Sequence, residues 1–211
     1  MVRLFVIRHA QSSFNLEGRY QGRLDPGLTE LGRLQANAIA RHLKEYPIKT
    51  IYTSPLSRTY DTALAIAKEL SLEPIPDERL IEIDHGIWSG MLIDEVQSRF
   101  EKDFNLWLNS PHEVHFQNGE SLKEVERRIV DMLNHLRLNH DGENVALVTH
   151  SVPMRVLYCA VLGIGLDKFW SFGCDNACYS LIDLYDERSV IIKLNVTCHL
   201  GELYVEAHRA I

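Results

Sequence analysis

Long apolar runs are absent from this 211-residue chain. No stretch approaches the ~20 apolar residues of a membrane-spanning helix, so no membrane partner is expected. The opening Val2-Arg3-Leu4-Phe5-Val6-Ile7 runs straight into Arg8-His9. That is too short for a secretory core of roughly 7–15 apolar residues, and a cytoplasmic protein is expected. A basic stripe is also missing. Lys and Arg number 22 against 29 Asp and Glu, for a formal charge of −7, so nucleic acid is not an expected partner. Any anionic ligand must be held by a few placed cations against an unfavourable overall field. Cysteine is sparse: of four residues, Cys174 and Cys178 form a C-x3-C spacing with no second pair to complete a zinc site. Buried, reduced thiols are the expectation. His112-Glu113-Val114-His115, beside Pro111, lacks the helical spacing of a two-histidine zinc motif and reads as a polar loop.

Repeats, low-complexity tracts and flexible linkers are absent too, which points to a single domain over residues 1–211 with a C-terminal tail from about 195. Hydrophobic residues make up 45% and charged residues 24%, the composition of an ordinary globular protein. Arg3–Ile7, Lys49–Thr53 and Asn144–Thr149 are apolar enough for strands buried on both faces. Pro74-Ile75-Pro76 reads as an extended edge. Tyr179–Leu184 and Val190–Leu194 flank Asp186-Glu187-Arg188-Ser189 as a hairpin. Thr29 can cap a helix with Leu31, Leu34, Ala38 and Ile39 on its apolar stripe. Leu56–Leu70 repeats the helical period. Ser121-Leu122-Lys123-Glu124 is a capping box, and Pro153 suits the first turn of a helix that Gly163 can stop. Asp94–Asn109 reads as one or two short helices. Strands alternating with such helices imply an α/β three-layer sandwich, a mostly parallel central sheet with helices on both faces. Ligands in such sheets sit beyond the carboxyl ends of the strands.

Three apolar strands end in reactive residues: Ile7-Arg8-His9-Ala10, Thr53-Ser54-Pro55 followed by Arg58, and Val148-Thr149-His150-Ser151. Two histidines and two arginines can therefore meet in one crevice. Neutral imidazole is a nucleophile and guanidinium forks match phosphate oxygens, so the set suggests phosphoryl transfer through a phosphohistidine.

Arg8-His9-Ala10 resembles the R-H-G signature of the histidine phosphatase superfamily, the phosphoglycerate mutase-like group. The resemblance continues through Gly18-Arg19-Tyr20-Gln21-Gly22, Leu28-Thr29-Glu30-Leu31-Gly32, Ser54-Pro55-Leu56-Ser57-Arg58, Leu80-Ile81-Glu82 and Val148-Thr149-His150. Ala10 and Ser151 stand where the family commonly has glycine, and neither change removes a chemical group. The resemblance implies a phosphoglycerate mutase-like fold with His9 as nucleophile, its other ring nitrogen on a backbone carbonyl. It implies that Arg8, Arg58 and His150 hold the phosphoryl oxygens, and that Glu82 donates a proton to the leaving alkoxide and later activates water. Asn15, Gln21, Gly22 and Ser151 become candidate substrate contacts. No metal and no cofactor are expected, because the cations supply the charge stabilisation. Trp88 and Trp170 can either floor a pocket or pack in the core.

Within the superfamily, Ile83-Asp84-His85-Gly86-Ile87-Trp88, Lys168-Phe169-Trp170 and Thr197-Cys198-His199-Leu200-Gly201 resemble metal-independent phosphoserine phosphatases. The segment Met91–Asn118 is modest beside the insert of the mutases, which favours hydrolysis. The resemblance implies a phosphomonoesterase acting on O-phospho-L-serine, with a role in serine biosynthesis. A cofactor-dependent phosphoglycerate mutase and a non-catalytic phospholigand-binding module are the alternatives. His85, three residues from Glu82, is a candidate partner for the substrate carboxylate, charge-assisted if the imidazole is protonated; a solvent-facing position or a supporting role behind the substrate contacts is the other reading. Leu203, Val205 and Ala207 alternate with polar residues at a strand period. Such a tail can cover the site mouth, pair with a second subunit of a homodimer, or pack on its own subunit.

Overall fold

The computed structural model describes residues 1–186 and 188–206. Six strands form one sheet: β1 (Val2–Arg8), β2 (Ile48–Thr53), β3 (Pro74–Pro76), β4 (Asn144–Thr149), β5 (Tyr179–Leu184) and β6 (Ser189–Val196), in spatial order β3-β2-β4-β1-β5-β6. The first four are mutually parallel. β5 and β6 run antiparallel, β5 beside β1 and β6 beside β5. The proline-rich β3 occupies an edge, where a missing N–H costs no ladder bond. The hairpin connection includes Glu187, which lies outside the described residues; Tyr185 N–H still donates to the Arg188 carbonyl at 2.9 Å.

Alternation along the strands divides the interior in two. Leu4, Val6, Val145 and Leu147 face the core under α6 (Leu122–Asn139) and α7 (Ser151–Leu162), joined by α4 (Ile93–Arg99) and α5 (Glu101–Asn109). Phe5, Ile7, Ala146 and Val148 face α2 (Glu30–Leu43) and α3 (Ser57–Leu70). The three-layer arrangement thus follows from two-residue periodicity with both faces apolar. Among the described residues no helix is long and apolar enough to cross a membrane, and no group of His, Cys, Asp or Glu could hold a metal.

Local signals explain the helix ends. Thr29 Oγ1 accepts from Gly32 N–H at the start of α2, the Ser121–Glu124 box closes α6, and Gly163 ends α7 at φ +64°. Two expectations need correction. Leu34 is 49% exposed and Leu31 only half-buried. Ala38 and Ile39 are buried as expected, and Ala36, Ala40 and Leu43 complete the buried face, its alanines bringing α2 close to α3 and the sheet. The tail forms no strand to its last described residue. Cys198–Leu203 makes short 3₁₀ turns, Leu200 is buried, and the Leu203 carbonyl accepts from Gln35 Nε2 on α2 at 2.9 Å. Those contacts hold it on its own subunit; Ala207 and His208 lie outside the described residues.

Candidate active site

β1, β4 and β2 are adjacent and in register, with Arg8 beside Thr149 and Val148 beside Thr53, so their carboxyl ends open on one edge. His9 leaves β1 there. Its N–H donates to the Thr149 carbonyl (2.9 Å), while its own carbonyl accepts from Ala177 N–H (3.1 Å) and Asn176 Nδ2 (3.2 Å). The ring Nδ1 lies 2.7 Å from the Ala10 carbonyl. A carbonyl only accepts, so Nδ1 carries the hydrogen. Burial, Arg58 and Arg8 push this imidazole well below its ordinary pKa, and the neutral ring therefore keeps its lone pair on Nε2. Ala10 fits without positive φ, and its N–H donates to Thr62 Oγ1.

His150 precedes α7, and its ring stands 5.1 Å from that of His9, edge to face. Its Nε2 is 2.8 Å from Ser54 Oγ at the end of β2, and its Nδ1 is buried with no partner. Burial first, then Arg58, keeps this imidazole neutral too. Arg8 donates from Nη1 to the Cys174 carbonyl at 2.5 Å. Arg58 donates from Nη1 to the Leu24 carbonyl (2.8 Å) and from Nη2 to the Gly22 carbonyl (2.9 Å). Burial lowers its pKa to about 10, so it stays charged at neutral pH. In both arginines Nε is buried without a partner. Each such orphan costs roughly 1–3 kcal/mol. Arg8 Nε, Arg58 Nε and His150 Nδ1 are thus three buried nitrogens without a hydrogen-bond partner.

Gly22 shapes this region by its backbone. It sits at φ +52°, and a Cβ there would come within 2.6 Å of Ser89 Oγ and 3.2 Å of the His85 nitrogen. Only glycine lets the loop offer its carbonyl to Arg58. Glu82 is 5% exposed. Its Oε1 accepts from Ile83 N–H (2.9 Å) and its Oε2 from Ser151 Oγ (3.4 Å). Burial raises its pKa against the opposing pull of that N–H and of Arg58, Arg8 and Arg128.

Arg8, Gln21, Gly22, Glu82, His85 and Ser151 line one cleft, whose wall Trp107, Arg155 and Trp170 complete. Gln21 Oε1 is 2.8 Å from Ser12 Oγ. Asn15 stands outside the cleft; its Oδ1 accepts from Ser12 N–H (3.1 Å) and from Asn176 Nδ2 (3.1 Å), the amide that also holds the His9 carbonyl. Trp88 packs in the core against Tyr20 and Phe116, whereas Trp170 lines the cleft. His85 lies among the rings of Tyr20, Phe116 and Trp107. Burial, then Arg58, lowers its pKa to about 3. His85 therefore meets the cleft as a neutral ring, and a contact from it to a carboxylate would be an uncharged hydrogen bond. Sequence reasoning missed Arg155, Trp107 and Asn176. Arg155 follows Ser151 by four residues on α7 and so shares its face, a spacing that could have found it.

A model of the histidine phosphatase superfamily, branch 1, matches residues 4–197. Phosphoserine phosphatase 1 of Hydrogenobacter thermophilus is 54% identical over 211 residues, covering 100% of both chains. A probable phosphoglycerate mutase, GpmB of Cronobacter sakazakii, is 33% identical over 164 residues, 78% of this chain and 76% of that one. The solved structure of Bacillus stearothermophilus YhfR superposes with a TM-score of 0.90 at 29% identity, covering 95% of this chain and 100% of that one. The chain, with its mixed sheet and its paired histidines at adjacent strand ends, belongs to branch 1 of the histidine phosphatase superfamily.

Proposed function

We propose that the protein hydrolyses phosphomonoesters, O-phospho-L-serine above all, through a phosphohistidine on His9 and without a metal ion. The observation that carries this reading is the trio of buried, unpartnered nitrogens, Arg8 Nε, Arg58 Nε and His150 Nδ1, together with an imidazole at His9 whose Nε2 lone pair is free. The substrate name comes from the Hydrogenobacter relative, identical at 54% of positions over the full length. His9 Nε2 attacks phosphorus as the bond to the serine oxygen breaks, and the two arginines and His150 stabilise the equatorial oxygens. Glu82, whose raised pKa keeps a proton available, donates it to the departing alkoxide. The resulting carboxylate then takes a proton from the water that attacks the phosphohistidine, and the phosphorus–nitrogen bond breaks to release phosphate. Gln21 and Ser151 contact the substrate from the cleft wall, Ser151 also steadying Glu82. Neutral His85 offers one donor or acceptor nitrogen rather than a charge. Asn15 serves through Asn176, which holds the His9 backbone. The reaction belongs to the cytoplasm, where the free cysteines stay reduced, and two copies form a homodimer.

A panel of phosphomonoesters assayed in chelator tests the reading. Phosphoserine should give the highest kcat/KM, unaffected by EDTA. Turnover of 3-phosphoglycerate only with its bisphosphate activator would make the protein a mutase, and stoichiometric binding without phosphate release would make it a binding module.

A further inference from the structure

Arg155 is a buried cation with no anion. It is 5% exposed on α7, and among the described residues no carboxylate lies within ion-pair distance of it. Its Nε donates to the Phe172 carbonyl at 3.0 Å. Its guanidinium carbon stands 4.7 Å from the Trp170 ring centre and 5.4 Å from that of Phe169. Those contacts fix the plane of the fork. They leave Nη1 buried without a hydrogen-bond partner. An unmatched charge in such surroundings is expensive unless a ligand supplies the counter-charge.

The same cleft holds Arg8, and the proximity of Arg155 adds to burial in lowering the Arg8 pKa. A third arginine of the cleft, Arg19, is already paired with Glu17 and donates to the Gly90 carbonyl. Arg8 and Arg155, which have no such carboxylate among the described residues, repel each other when the cleft is empty. A ligand with two separate anionic groups relieves both at once, one at Arg8 and one at Arg155. His85, the other candidate for the second group, is neutral and lacks the charge to do so. We propose that Arg155 binds the carboxylate of the substrate and thereby selects carboxylate-bearing phosphomonoesters over their carboxylate-free counterparts. A guanidinium with a free edge, held flat against an indole, matches a carboxylate in a way that a point charge cannot. This inference rests on the phosphomonoesterase reading for the position of the phosphoryl group.

Two substrate pairs differ mainly by the carboxylate: phosphoserine with phosphoethanolamine, and 3-phosphoglycerate with glycerol 1-phosphate. The readout is the ratio of kcat/KM within each pair, which cancels any loss shared by both members, such as partial misfolding. The wild type should prefer the carboxylate-bearing member of at least one pair. Arg155→Met keeps the stem against Trp170 and should lower that preference by about ten- to a hundredfold, chiefly through KM. Arg155→Lys, a charge without the fork, should fall between the two. An unchanged ratio in Arg155→Met, or a wild type indifferent to the carboxylate in both pairs, would overturn the inference. The same ratios taken from calorimetric Kd values in a His9→Ala background need no turnover. Failure of the phosphatase reading would show as absent catalysis with the binding preference intact.

Discussion

Glu82 combines two demands that usually conflict, since the carboxyl proposed to hold and release a proton is also buried. Its folded pKa lies above the unfolded value. Its contribution to stability is therefore present at low pH and lost as pH rises through the folded value. Glu82→Gln removes the charge and keeps the shape. Its kcat for phosphoserine should drop by roughly 10²–10⁴-fold, while its melting temperature should exceed that of wild type at pH 8 and converge with it towards pH 4. A variant that melts lower at pH 8 would show that Arg8 and Arg58 need the carboxylate more than its desolvation costs. The contrast between Glu82 and Arg155 shows what was legible in the sequence. His9, Arg58, Glu82 and His150 stood out because each follows a strand or sits in a motif block. Arg155 lies inside a helix between Met154 and Val156, both buried, where a single cation reads as an interruption of the core. Its role becomes visible only when Trp170, 15 residues on, is folded beneath it. The neutral state of His85 was equally hidden, because three aromatic rings from separate segments create it.

Strand β6 shows how a pattern can be right while its partner stays unseen. The apolar stretch Val190–Leu194 after a turn predicted the strand, and its inward Ile191 packs on the core. Val190, Ile192 and Leu194 on the other side remain 38, 47 and 39% exposed on a sheet edge. Exposed, apolar edges invite pairing with another chain, and this is the observation behind the proposed homodimer. Light scattering should give a mass near twice 24.2 kDa for wild type and near 24.2 kDa for Ile192→Lys. A monomeric wild type, or a variant that stays dimeric, would contradict it. The tail and the Leu31–Leu34 part of the α2 stripe departed from the sequence reading for a related reason. Period alone does not say which apolar residues meet a neighbour, and Leu34 and Val205 both remain exposed.

At the scale of the whole molecule, a chain of formal charge −7 buries Arg8, Arg58 and Arg155 together with several histidines. Burial holds His9 and His150 far below the ordinary imidazole pKa, His85 at about 3 and His199 at about 4. The unfolded chain takes up these protons near pH 6.5 and the folded chain does not. The stability they confer is complete above that pH and is lost as pH falls towards the folded values. These histidines gain protons on unfolding below pH 6.5, so the unfolding free energy should fall as pH is lowered from 7 towards 4.5, with net proton uptake on unfolding. A flat profile between pH 7 and pH 4.5 would mean that the folded interior admits the charge.

The neutral, oriented imidazole of His9 is proposed to accept a phosphoryl group, and that step can be caught directly. Rapid quenching during turnover of ³²P-labelled phosphoserine should trap label on His9 as an adduct labile to acid and stable to base, absent in His9→Ala. Full turnover by His9→Ala, or an adduct stable to acid, would contradict a phosphohistidine mechanism.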